Sequence, residues 1–263
     1  MEFMDLSKPE YSYMFGFLQT DGTLSQGKGL KGRVSVEIQR RDEPILHEFR
    51  RLTPYNSRVS RRTRTTNFKV GYESSVWTMC SLEGRLKLIE LGFIVGRKSG
   101  LVAPPRAEHS SPHYVRGLID GDGSVGTTAK GYPFVSFVTE SAFLLDYVSD
   151  FVFEAVGCRH RVKRNARDGV FNIVFVNEPA VELARVLYGG GIALERKQSA
   201  AESISAWTRP AGMRRRSETR RWTPEQDAVV LASSVADAAQ ILGRTEQSCS
   251  MRRWRLTKPV AVG

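Results

Sequence analysis

Cysteine is scarce. The 263-residue chain has three, Cys80, Cys158 and Cys249, far apart and without a Cys-x-x-Cys pair. That excludes a disulfide framework and a cysteine-based zinc site, and it fits a reducing compartment. The four histidines, His47, His109, His113 and His160, show no metal-ligand spacing; His109 and His113 straddle Pro112 and read as loop residues. Met1–Asp5 lacks a basic region followed by an apolar stretch, so a secretory signal is not expected. No uninterrupted apolar run approaches a membrane span. A soluble intracellular protein, cytoplasmic or nucleoid-associated and without a membrane partner, is expected.

Positive charge is abundant. Lys and Arg number 39 against 28 Asp and Glu, a net charge of +11 with an isoelectric point near 9.8. Apolar residues at 41% and charged residues at 25% are ordinary globular values, which argues against wholesale disorder. The excess of cations favours a polyanionic partner, because each neutralised phosphate releases condensed counterions.

The chain repeats itself. Gly16-Phe17-Leu18-Gln19-Thr20-Asp21-Gly22 returns 101 residues later as Gly117-Leu118-Ile119-Asp120-Gly121-Asp122-Gly123. At that offset Val34-Ser35-Val36 matches Val135-Ser136-Phe137, and the basic run Arg58, Arg61, Arg62, Arg64 returns as Arg159, Arg161, Lys163, Arg164. Near the end of each unit, Gly92–Lys98 answers Gly191–Lys197 at an offset of 99. Four features in one order point to duplication rather than coincidence.

Each unit predicts the same elements. A helix starts at Ser7-Lys8-Pro9-Glu10, with capping-box spacing, or at Ser111-Pro112. It stops at Gly22 or Gly123, where glycine takes a left-handed position cheaply. Two strands follow, with period-2 patterns at Arg33–Ile38 and Phe134–Val138. A helix carries Ile45, Leu46, Phe49 and Leu52, or Phe143, Leu144, Tyr147 and Val148. A strand pair comes next (Arg58–Arg64 with Phe68–Tyr72; Arg159–Arg164 with Val170–Val176), then a closing helix. Two αββαββα repeats, residues 1–100 and 101–205, make an α+β protein with two sheets. An Arg-rich linker spans 206–221. A small three-helix domain is expected over 222–258, opening at the capping box Thr223-Pro224-Glu225-Gln226, with helices at Pro224–Leu231, Val235–Leu242 and Thr245–Arg255. From Arg209 onward, eleven basic and five acidic residues leave a net +6.

Glycine in mid-helix, Gly16 and Gly117, costs about 1 kcal/mol against alanine and marks a close backbone approach, here a pseudo-twofold seam. Helices packed side by side there bring Asp21 and Asp122 to the same carboxyl-terminal end, where the macrodipole disfavours negative charge. Two carboxylates beside free carbonyls, those of Gly22 and Gly123, form an oxygen-rich site suited to Mg²⁺ or Mn²⁺. Such a cation activates water and stabilises the leaving oxygen in phosphodiester cleavage. Three blander motifs fall away. Asp-Gly alone is turn chemistry. A calcium loop at Asp120 would need glutamate where Gly131 stands. Gly27-x-Gly29-x-x-Gly32 and Gly121-x-Gly123-x-x-Gly126 do not open a helix after a strand and read as turns.

At these residues a family resemblance becomes plain. Val115–Gly123 resembles the LAGLIDADG motif of homing endonucleases, and Met14–Gly22 resembles a degenerate copy. Gly-Arg-Lys-Ser at 96–99 and Glu-Arg-Lys-Gln at 195–198 resemble the family's lysine-bearing segments; the match spans about residues 7–205. The resemblance implies a single-chain pseudo-dimer, monomeric, whose two saddle-shaped antiparallel sheets straddle the major groove of a long asymmetric DNA target. It implies metal-dependent, staggered double-strand cleavage across the minor groove. Asp21 and Asp122 would hold metal, Lys98 and Lys197 would stand near the scissile phosphates, and Arg40 and Thr139, closing the second strands, would order solvent. Two departures stand out: Gln19 replaces a common acid, and Thr20 a Gly or Ala. They imply unequal half-sites or a preference for nicking one strand.

Recurrence of the basic strands in both halves makes Arg61, Arg62, Arg64, Arg161, Lys163 and Arg164 candidates for the groove-reading face, against the reading that exposed strands are charged for solubility. The tail resembles a Myb/SANT-like helix-turn-helix, which implies core tryptophans and a third helix in the major groove, with Gln247, Arg252, Arg253 and Arg255 as contacts. A protein-binding module is the other reading of the tail. For the whole chain, the alternative is a non-catalytic DNA-binding transcription regulator; keeping both Asp21 and Asp122 favours the enzyme. An RNA maturase is disfavoured by the tail, since RNA's deep major groove does not admit a helix. Without Cys/Ser and His-Asn junctions a protein-splicing role is not expected, and a free-standing enzyme is.

Overall fold

Tyr11 through Gln19 are buried on every side, and a helix with no polar face belongs in the interior. In the computed structural model this segment is helix α1 (Pro9–Asp21). The structure describes residues 2–25, 27–28, 31–65, 71–96, 98–160, 162–213 and 222–257. Arg161, Gly29, most of the expected Phe68–Tyr72 strand, residues 214–221 of the linker and residue 258 therefore lie outside the described residues. The expected capping box at Ser7 does not form: Ser7 Oγ donates to Asp5 at 2.7 Å, Lys8 is the N-cap, and proline alone starts the helix.

The counterpart of α1 is α4 (Ser111–Asp122), and the two pack along their length. A Cβ on Gly16 would lie 2.3 Å from the Tyr114 carbonyl oxygen, and one on Gly117 would lie 2.2 Å from that of Tyr13. No side chain fits at either place, so the glycines set the spacing of the seam. Pro112 sits in the first turn of α4, where its missing N–H costs nothing. His113 is therefore helical, not the expected loop residue, and its Nδ1 lies 2.7 Å from Ser110 Oγ.

After α1 come β1 (Gly22–Ser25), β2 (Arg33–Gln39), α2 (Glu43–Leu52), β3 (Ser57–Arg64), β4 (Tyr72–Met79) and α3 (Leu82–Glu90). After α4 come β5 (Gly123–Thr127), β6 (Pro133–Thr139), α5 (Ala142–Val156), β7 (Phe171–Val176), α6 (Glu178–Tyr188) and α7 (Glu195–Ser205). The result is an α+β fold with two antiparallel sheets, ordered β1-β2-β4-β3 and β5-β6-β7. Buried side chains from both halves form one core around α1 and α4. No helix among the described residues is long and apolar enough to cross a membrane.

Three expectations need correction. The partner of β3 begins at Tyr72, because Val76, Trp77 and Met79 supply the buried positions. The second sheet has no strand over the described part of Arg159–Arg164. There Arg159 is drawn to Asp150 at 2.8 Å and over the Phe153 ring, while Arg164 bonds the Glu140 carbonyl. Gly22 and Gly123 are extended rather than left-handed, with φ of −76° and −116°. Each helix runs straight into its strand, and a Cβ would strike Leu18 O at 2.4 Å or Ser136 O at 2.5 Å. Gly121, Gly123 and Gly126 thus span a helix-to-strand junction and not a turn.

The chain divides into two compact units, 1–209 and 210–263. The second contains three short helices, α8 (Pro224–Ala232), α9 (Val235–Leu242) and α10 (Glu246–Thr257). They close on a small core of Val230, Ala238, Ala239 and Cys249. Trp222 packs against that core beneath the Arg244 guanidinium, but Trp254 is 54% exposed on α10 and is not the core residue expected.

Candidate active site and nucleic-acid interface

Because α1 and α4 end together, Asp21 and Asp122 stand at one end of the seam, each one residue before its strand. Both side chains reach the surface, yet the protein around them still removes water. Burial and the Asp122 charge push the Asp21 carboxyl up to about 6, against the opposing pull of Lys98 and Lys197. Asp122 is raised as well, by burial, with the same two lysines opposing.

The lysines are placed symmetrically. Lys98 Nζ donates to Leu18 O at 3.0 Å and to Gly22 O; Lys197 Nζ donates to Ile119 O at 2.5 Å, Asp120 O at 2.7 Å and Gly123 O at 2.8 Å. Leu18 and Gly22 correspond to Ile119 and Gly123 in the repeat, so each ammonium caps the carboxyl end of its own half's helix. The charge of each also acts across the seam. Lys98 feels Asp122 ahead of Asp21, and Lys197 feels Asp120 of its own half first and then Asp21. Burial brings both lysines down to about 8.

Among the described residues, no group of three or more His, Cys, Asp or Glu is arranged to hold a metal. The donor set that exists is two carboxylates and the Gly22 and Gly123 carbonyls, all hard oxygen, which fits a magnesium-like cation and not zinc. Each of those carbonyls keeps a second lone pair beside its lysine. Two acids facing two ammonium groups balance without a cation.

A cavity of about 220 Å³ opens beside this site, lined by Asp122, Lys98, Gln19, Val138, Thr139 and Glu140 among others. Thr139 lies at its wall, with Oγ1 accepting from the Ser141 N–H at 3.1 Å. Arg40 is placed differently. It falls after β2 in a short 3-10 turn, 3.8 Å from Glu43. The register Val36↔Gly22 and Phe137↔Gly123 makes Thr139 the counterpart of Ile38, and Arg40 that of Ser141. Arg40 and Thr139 are therefore not an equivalent pair.

Strand register fixes which basic residues share a face. Val36, Trp77 and Val59 are cross-strand neighbours on the helix-covered side, and Arg61, opposite Ser75, is on that side too. Its guanidinium holds Glu43 of α2 at 2.8 Å, and Glu43, also bonded by Ser75, is kept down at about 2. Arg62 and Arg64 point to the open side, where each pairs with Glu37. Arg33 and Arg58 share that side and were missed as candidates; the alternation of β2 and β3 carried the signal, but only pairing register reveals it. In the second half Lys163 is exposed and Arg164 lies over the Phe171 ring, neither within a strand.

In the tail, two of four nominated contacts face inward. Arg252 forks onto Asp227 at 2.6 and 2.7 Å, and Arg253 donates to the carbonyls of Val230 and Ser233. Both tie α10 to α8. Gln247 and Arg255 are exposed on α10.

No family model and no curated protein matches the chain. Solved structures do. A mutant of I-SmaMI aligns with a TM-score of 0.50 at 12% identity, over 75% of this chain and 90% of that one. The homing endonuclease I-WcaI, solved bound to its DNA recognition sequence, aligns with a TM-score of 0.51 at 12% identity, over 73% of this chain and 87% of that one. At such identities the likeness is one of fold, and that fold is the LAGLIDADG type.

Proposed function

We propose that the chain is a site-specific endonuclease of double-stranded DNA, dependent on Mg²⁺ or Mn²⁺ and making a staggered cut. The observation that carries this reading is the convergence of Asp21 and Asp122 at one end of a glycine-set seam, each helix end capped by a lysine. The fold shared with I-WcaI, solved bound to its recognition sequence, adds support.

In this reading residues 1–100 and 101–205 act as two half-enzymes within one monomer. Asp21, Asp122 and the carbonyls of Gly22 and Gly123 would hold the cation. A divalent cation bound there supplies an activated water and a counter-charge for the leaving oxygen. Lys98 and Lys197, still largely protonated near neutral pH, offset the charge of the scissile phosphates while holding the helix ends in place. Thr139 orders solvent at the cavity wall; Arg40, tied to the Glu43 cluster, meets DNA from the strand end. The open face of the first sheet, with Arg33, Arg58, Arg62 and Arg64, binds in the major groove of a long asymmetric target. Residues 222–257 add affinity as a helix-turn-helix unit through Gln247 and Arg255.

The test is to incubate the full chain with a randomised duplex library and Mg²⁺, then sequence the cut ends. A recurring site with a fixed stagger supports the reading. Enriched binding without cutting under Mg²⁺ or Mn²⁺ leaves a DNA-binding regulator instead. Neither binding nor cutting overturns both.

A further inference from the structure

The open faces of the two sheets differ in chemistry. On the first, Arg33, Arg58, Arg62 and Arg64 share the face with Glu37 and Gln39. On the second, the register Ser124↔Ser136, Ser136↔Val174, Val138↔Asn172 and Phe134↔Val176 places no charged residue of β5, β6 or β7 on the open side, among the described residues. Val138, Val174 and Val176 are 36%, 37% and 40% exposed there, while their neighbours Val135, Phe137, Ile173 and Phe175 fill the core. The valines make an apolar stripe, interleaved with Ser136 and Asn172, that offers methyl contacts to an apolar group of a partner.

The stripe is continuous with the acid site. β5 starts at the residue after Asp122, and Val138 lines the same cavity as Asp122 and Lys98. A duplex whose phosphodiester enters that cavity must run along Val138 and then β7. Major grooves present one apolar group to such a surface, the C5-methyl of thymine. Alternate residues on a strand stand about 7 Å apart, roughly two base-pair steps, so Val174 and Val176 address separate bases. Ser136 and Asn172, between the valines, offer hydrogen bonds to neighbouring base edges.

We infer that the half-site under the second sheet is thymine-rich and read through its methyl groups by Val138, Val174 and Val176, while the first sheet reads its half-site through polar and charged groups. This rests on the proposal above that the chain binds duplex DNA. The test begins with binding selection of the full chain on a randomised duplex library without divalent ions. Selected sites should carry thymines at two or more positions of one half-site. Replacing those thymines by deoxyuridine removes only the methyl, and should weaken binding roughly fourfold per position; the same exchange in the other half-site should have little effect. Val174→Ser with Val176→Ser should bind the thymine and deoxyuridine duplexes equally, with a cooperative thermal transition showing that the fold is kept.

A selected site that is indifferent to the methyl, or equal sensitivity in both half-sites, overturns the inference and leaves DNA binding intact. A valine double variant that still distinguishes the thymine duplex from the deoxyuridine duplex as strongly as the parent overturns it as well. Failure to select any DNA, with dimers forming as concentration rises, removes the DNA reading itself and assigns the stripe to a second copy of the chain.

Discussion

Tyr13 of α1 donates its hydroxyl to Asp120 of α4 at 2.8 Å, and the repeat reverses the bond: Tyr114 of α4 donates to Gln19 of α1 at 2.5 Å. The two contacts relate the halves across the seam and explain why position 19 is an amide. Asp120 also accepts from Tyr188 Oη and the Leu194 N–H, so it needs acceptors only. Gln19 meets the Ala103 carbonyl at 2.9 Å, which needs a donor. The departure at Gln19 is thus accounted for by hydrogen bonding within the seam.

Gln19→Glu would turn a carboxylate oxygen toward the Ala103 carbonyl. Losing that bond and burying the charge should cost about 1–3 kcal/mol in urea unfolding. Unchanged stability would mean that the seam does not select the amide.

Gly117→Ala tests the seam spacing. A Cβ 2.2 Å from Tyr13 O forces the helices apart, and the loss should be about 3 kcal/mol or more. Gly157→Ala, at a left-handed cap with no neighbour near the added Cβ, should cost only about 1 kcal/mol. Equal effects at both positions would contradict a close-packed seam.

The arginines of β3 should separate by face. Arg62→Ala should weaken DNA binding and reduce the slope of log affinity against log salt by about 1. Arg61→Ala should act on folding, lowering the urea midpoint, because it takes from Glu43 its nearest cation. A salt slope that falls equally for both would show that Arg61 also faces the nucleic acid.

The raised Asp21 carboxyl has a pH signature in metal-free protein. Its pKa of about 6 exceeds the unfolded value of 3.8, so between those values the folded state binds more protons and stability falls as pH rises. Asp21→Asn removes that cost and should stabilise the protein at pH 7 by about 1 kcal/mol, after discounting for solvent screening. Stabilisation should vanish below about pH 4. A variant less stable than the parent at pH 7 would contradict an electrostatic cost at this site.

Much of this arrangement was legible in the sequence, and the failures share a cause. Gly16, Gly117, Asp21 and Asp122 were readable because helix period and the 101-residue offset place them without knowledge of partners. The strands β2 and β6 were readable from alternation. Which side Arg61 takes depends on register with β4, and register is a non-local property. The missing strand at 159–164 carries the right pattern, but Arg159 finds Asp150 and Phe153 on α5 instead. Arg252 and Arg253 look like a basic recognition surface until Asp227 and the end of α8 come within reach. The lysine caps were expected near phosphates, but their bonds to the helix carbonyls require a segment about 80 residues away to fold back.

The most direct measurement compares wild type and Asp122→Asn on the duplex selected from the randomised library, with Mg²⁺, following both strand cleavage and binding. The variant should bind about as tightly as the parent and cut neither strand. Cutting retained by Asp122→Asn at saturating protein would contradict the shared acid site, and with it the assignment of catalysis to the end of the α1–α4 seam.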